Sequence, residues 1–123
     1  TLFEVRTILE QVLLHQLELQ AISLRLFGFD DDLPETNKRL LLAKRFSSGL
    51  FYLGRLSQEE QQLLFAEKRI ESVAVMLIGE RGEMGLLAIG SNESHHFHPG
   101  MDTLLITQLQ KFLTLVVPQL AEY

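Results

Sequence analysis

The stretch Gly85 to Thr103, GLLAIGSNESHHFHPGMDT, decides the fold. Gly85 to Ile89 offers no polar side chain to either face. A strand apolar on both faces belongs in the middle of a covered sheet. Gly90-Ser91 marks its exit, a histidine-rich loop follows, and Asp102 is a good N-cap for a closing helix. Just upstream, Ser72 to Ile78 (SVAVMLI) has the same interior character. Gly79-Glu80-Arg81-Gly82-Glu83 joins the two as a hairpin loop with glycine at the bends. The sheet is therefore at least partly antiparallel.

Outward from this pair, residues 20–27 alternate with period two. Ile22, Leu24 and Leu26 share one face; Ser23, Arg25 and Phe27 share the other. Gly28 to Pro34 reads as a loop. Residues 35–48 are predicted helical and closed by Gly49, and Leu50 to Arg55 as a short strand weakened by Gly54. Ser57-Gln58-Glu59-Glu60 is a capping box that opens a short helix through Phe65. The last helix runs from about Asp102 through Leu105, Leu109, Phe112, Leu113 and Val116, with Pro118 kinking or ending it.

At the start, Leu2, Val5, Ile8, Leu9, Val12, Leu13 and Leu17 recur at helical steps over residues 2–19. Leu14 and Leu19 widen that stripe. A helix apolar over so much of its circumference wants more than one partner, which could be its own sheet and a second subunit; the alternative is one face on its own core with loose apolar ends. The predicted class is α+β. A largely antiparallel sheet has terminal helices packed on one face and short helices with loops over the other.

The totals bound the function. A chain of 123 residues is expected to be a single domain, 1–123. It begins with Thr, so it is expected to be a piece of a longer chain with a further N-terminal segment. Net charge is −5, which argues against direct nucleic-acid or anionic-membrane binding. There is no cysteine. Thiolate nucleophiles and Cys-based zinc sites are excluded, and a reducing, cytoplasmic setting fits. The longest apolar run, Val73 to Ile78, is far short of the ~20 residues of a membrane span.

Several pieces together resemble a known family. They are Ile22 to Phe27, Leu53-Gly54-Arg55-Leu56-Ser57 with Leu64-Phe65, Gly85 to Ser91, and Phe97-His98-Pro99-Gly100-Met101 followed by Thr103. With them the chain resembles a GAF-type domain, and more narrowly the bacterial family of unknown function numbered 484. Two positions depart from that pattern: Leu77 stands where the family has proline, and Asp102 where it has a second glycine. The resemblance implies a GAF-like fold, related to the profilin and PAS architecture. It also implies a regulatory or interaction module rather than an enzyme. GAF relatives bind small molecules in a pocket on one sheet face, and fold analogy does not select among ligands.

Candidate residues follow. Arg25 and Arg55 are strand-borne cations that could clamp a carboxylate or phosphate. Ser91 is a hydrogen-bonding group at a strand exit. Tyr52, Phe97 and Met101 could line an apolar pocket or form plain core. His98, next to Pro99, fixes the loop or lines the pocket. His95, His96 and His98 are the metal temptation, but adjacent side chains in an extended loop point apart. Asp30-Asp31-Asp32 lacks the ligand spacing of a calcium loop. Lys38, Arg39, Lys44 and Arg45 make a basic helix patch. No nucleophile elbow is present.

The reading is a non-enzymatic sensory or regulatory module without a cofactor. It is expected to be a homodimer through its terminal helices and to bind a small molecule between the sheet and loops 28–34, 49–57 and 91–101. The alternative is a ligand-free scaffold for a protein partner. A metal-dependent activity at the histidine loop is a weaker alternative.

Overall fold

A computed structural model describes residues 21–27, 35–46, 49–65, 70–101 and 103–120, together with Glu4, Thr7, Ile8 and Gln11. Side chains are described for these residues except 35–38 and 120. The strands are β1 (Ala21–Leu26), β2 (Phe51–Gly54), β3 (Ser72–Ile78) and β4 (Gly85–Ser91). The helices are α1 (Glu35–Arg45), α2 (Gln58–Phe65) and α3 (Leu104–Leu120). Glu4, Thr7, Ile8 and Gln11 are helical, as the stripe over 2–19 predicts; the rest of that segment lies outside the described residues.

The four strands form one antiparallel sheet in the order β1-β4-β3-β2. The apolar pair is its centre, and every residue of β3 and β4 is buried. Alternation then sorts side chains into two cores. On one face Leu24, Ala74, Met76, Ile78, Leu87 and Ile89 meet Ile106, Leu113 and Val117 of α3. On the other, Val73, Val75, Leu77, Leu86 and Ala88 meet Leu41 of α1 and Leu64 and Phe65 of α2. The chain is thus α+β, with the C-terminal helix on one face and the two short helices on the other, consistent with a GAF-like arrangement.

Local chemistry explains the turns. Gly79 and Gly82 have φ of 111° and 74°, the left-handed region glycine favours. A Cβ on Gly82 would also stand 2.8 Å from Leu77 Cβ. Gly85 is glycine for a different reason: a Cβ there would collide with the Arg25 backbone carbonyl on β1. Leu77 donates its N–H to the Leu50 carbonyl at 2.9 Å. Proline has no such donor, so a leucine here lets the ladder continue past β2.

Some boundaries moved. α1 ends at Arg45, three residues before the expected end, with Phe46 N–H still bonded to the Leu42 carbonyl at 3.1 Å. Gly49 lies beyond it. β2 is two residues shorter than expected, and β4 two residues longer. Asp102 lies outside the described residues. The Thr107 N–H bonds to the Thr103 carbonyl at 2.8 Å, which puts Thr103 at the cap of α3. α3 ends at Leu120, two residues after Pro118.

Candidate functional site

The seven residues singled out in the sequence do not converge. Arg25 and Tyr52 share the sheet face under α1 and α2, but on opposite edge strands. Arg25 Nε donates to Ser23 Oγ at 2.9 Å, two residues away on the same strand. Phe97 and Met101 pack on the other face, Phe97 buried beside Ile106 and Leu113 and Met101 half-buried against that cluster. Arg55 is exposed, with Nη2 3.6 Å from Glu71 Oε2. His98 is exposed. Ser91 is buried at the end of β4. Loop 28–34 lies outside the described residues.

Two polar assemblies take up four of the seven in two separate places, Tyr52 and the Arg55 carbonyl in one and Ser91 and Phe97 in the other. One ties α1, α2 and β2 together. Arg45 Nη2 and Nε donate to Glu60 Oε1 at 2.7 Å and Oε2 at 3.0 Å, a bidentate pair. Arg45 Nη1 donates to the Tyr52 hydroxyl at 3.3 Å, and its Cζ stands 4.8 Å above the Tyr52 ring. The Tyr52 hydroxyl donates to the Arg55 carbonyl. The capping box forms as predicted: Ser57 N–H donates to Glu60 Oε1 at 2.8 Å, and Glu60 N–H to Ser57 Oγ at 3.2 Å. Burial pushes the Glu60 carboxyl up, but hydrogen bonds from Arg45 and Ser57 outweigh it and hold the group at about 2.

The other assembly builds the 91–97 loop. Ser72 Oγ donates to the Glu93 carbonyl at 2.6 Å and accepts from Phe97 N–H at 3.2 Å. Ser91 Oγ accepts from Glu93 N–H at 3.1 Å and lies 3.0 Å from His96 Nδ1. The His96 ring stacks on Phe97, centroids 4.5 Å apart. So Ser91 and Phe97 hold the loop down on the sheet. Among the described residues, no group of three or more His, Cys, Asp or Glu side chains is placed to hold a metal ion. Arg45 as a bidentate clamp and Ser72 as a loop anchor had no local sequence signal, because their partners lie 15 and 21–25 residues away.

A family model described as "Protein of unknown function, DUF484" matches residues 3–122. The chain belongs to this family. A relative, the uncharacterized protein YigA of Salmonella typhimurium, is 31% identical over 83 residues, 67% of this chain. The chain covers 34% of that relative's length.

Among the described residues of this DUF484 chain, open space is found beside the helices. A cleft of about 490 Å³ runs between α1 and α2, with Leu40, Leu41 and Leu63 as its apolar wall and Lys44, Ser57 and Glu59 at its polar side. None of the seven expected residues lines it. A second groove, about 390 Å³, lies between the β3–β4 hairpin and α3. α3 itself is apolar on two opposite sides. Ile106, Leu113 and Val117 face the sheet, while Leu104, Leu105, Phe112 and Leu115 are 53–71% exposed. At about 100° per residue the exposed four fall within one arc opposite the buried three. Among the described residues no helix is long and apolar enough to cross a membrane.

Proposed function

We propose that this DUF484 chain is a non-enzymatic regulatory module of the GAF-like kind that pairs with a second copy through its terminal helices. One observation carries the reading: α3 is apolar on its outer side as well as on the side it buries. An apolar arc opposite the one a helix already buries offers surface to a second partner. Four large side chains exposed in one arc, on a helix whose single charge is Lys111, form the kind of patch that marks an interface. Ile8, helical and 59% exposed, adds an apolar side chain on the first terminal helix. The absence of cysteine fits a cytoplasmic setting.

The sensing half of the proposal places a small molecule in the α1/α2 cleft, whose volume is in the range of ligand sites. Occupancy shifts helix packing only if the ligand binds one arrangement better than the other. A second reading, a ligand-free scaffold, is favoured by the filling of both sheet faces by side chains.

The chain lacks cysteine, so a single introduced thiol reports one place. Leu115→Cys with a short bismaleimide should give a cross-linked dimer at micromolar concentration, and Glu59→Cys should not. Equal cross-linking of both, or of neither, removes the pairing. A metabolite screen by thermal shift separates the two readings. A ligand at 100 times its Kd adds about 2.7 kcal/mol, and the scaffold shows no shift.

A further inference from the structure

The groove beside α3 explains how a second copy would seat. Its floor and walls are Leu50, Gly79, Gln110, Thr114 and Leu115, and Glu80 and Lys111 stand at its rim. Gln110 and Thr114 are turned inward. Gln110 Nε2 donates to the carbonyls of Leu77 and Gly79, and Thr114 Oγ1 accepts from Gly79 N–H. The Gln110 amide donors and the Thr114 hydroxyl oxygen are engaged by the hairpin, so these two side chains are held in place as walls of the groove. The groove is contiguous with the exposed stripe, because Leu115 belongs to both.

We propose that this groove receives Phe112 of a second copy of the chain, with α3 helices packed across a two-fold axis and Lys111 of each copy set against Glu80 of the other. The inference rests on the pairing proposed above and specifies its register. Three observations select a second copy as the occupant. Phe112 is the largest side chain of the exposed stripe, 53% exposed, and about 390 Å³ accommodates a phenyl ring. The rim carries one positive and one negative group, both exposed, and neither makes an ion pair with another described residue. A surface with this balance is complementary to itself under a two-fold rotation, which meets each Lys111 with a Glu80 twice over. The third is the charge count: Lys111 is the one ionisable residue in the 17 of α3. Partner choice along this helix therefore falls to that single position and whatever opposes it.

The test is a charge-swap cycle on the full chain at low salt, read as the dimer dissociation constant by sedimentation equilibrium. Lys111→Glu and Glu80→Lys each create two like-charge meetings per dimer. Each should weaken the dimer about tenfold or more. The double variant K111E/E80K restores opposite charges and should return to within about threefold of the parent. Both positions are exposed, so the fold itself, read as circular dichroism of the monomeric state at high dilution, should stay constant across the set. A double variant as weak as the singles overturns the Lys111–Glu80 pairing. Swaps that leave the constant unchanged, while Phe112→Asp still gives monomers, overturn the register but leave the α3 dimer standing. A parent chain that stays monomeric overturns both.

Discussion

Gln110 on α3 reaches across to the end of β3, its Nε2 2.9 Å from the Leu77 carbonyl oxygen and 3.2 Å from that of Gly79. Thr114, one turn on, accepts from Gly79 N–H at 3.0 Å. The sheet's hairpin and the terminal helix therefore form one hydrogen-bonded unit. Gln110 is buried, and its amide serves both carbonyls. Gln110→Leu keeps the bulk and removes both donors: the Leu77 carbonyl loses its bond from α3, while the Gly79 carbonyl keeps the Gly82 N–H at 3.2 Å. A loss of about 1–3 kcal/mol is expected by urea denaturation.

The Arg45–Glu60 pair gives the protein an acid limb. The Glu60 carboxyl sits at about 2 in the folded chain against an ordinary 4.5. Between those values the unfolded chain binds more protons, so stability falls as pH drops. The contribution is complete above pH 4.5 and gone once pH has fallen through about 2. Glu60→Gln should lower stability at pH 7 and flatten the stability curve in that window. A variant curve parallel to the parent's would show that Glu60 is not the responsible group.

The hairpin carries its own constraint. Gly82 combines a φ of 74° with a close approach to Leu77. Gly82→Ala meets both the left-handed backbone cost and a side chain that must move. About 1–2 kcal/mol of stability should be lost in thermal or urea melts.

Two neighbours in the 91–101 loop should behave in opposite ways. Phe97 is buried among α3 and the sheet, and His98 is exposed. Phe97→Ala should cost about 3–5 kcal/mol. His98→Ala should stay within about 0.5 kcal/mol. Comparable losses at both positions would mean that the loop is held by something other than the Phe97 ring.

The fold was legible because its determinants are local. Both-face apolar strands, the period-two pattern of 20–27 and the Ser57–Glu60 capping box all act within a few residues. The capping box and the sorting of Ile22, Leu24 and Leu26 onto one face appear as read. The site was less legible because its bonds are long-range. Glu60 was visible as a cap, but its clamp by Arg45 spans 15 residues, and Gln110 serves Leu77 across 33. Tyr52, Phe97 and Met101 looked alike as pocket candidates, and only the packing of the two cores shows that the sheet divides Tyr52 from the other two. The open cleft between α1 and α2 arises from how two helices lie together, which no single stretch encodes. Exposure on α3 was equally hidden, since Phe112 and Leu113 differ only in the side of the helix each occupies.

The pairing through α3 is the claim on which regulation depends, and mass in solution tests it most directly. Sedimentation velocity over a range of micromolar concentrations should give a dimer for the parent chain and a monomer for Phe112→Asp, with the same helix and strand content by circular dichroism and a lower, concentration-independent melting temperature for the monomer. A parent chain that sediments as a monomer throughout, or a Phe112→Asp variant that remains a dimer, would contradict the account.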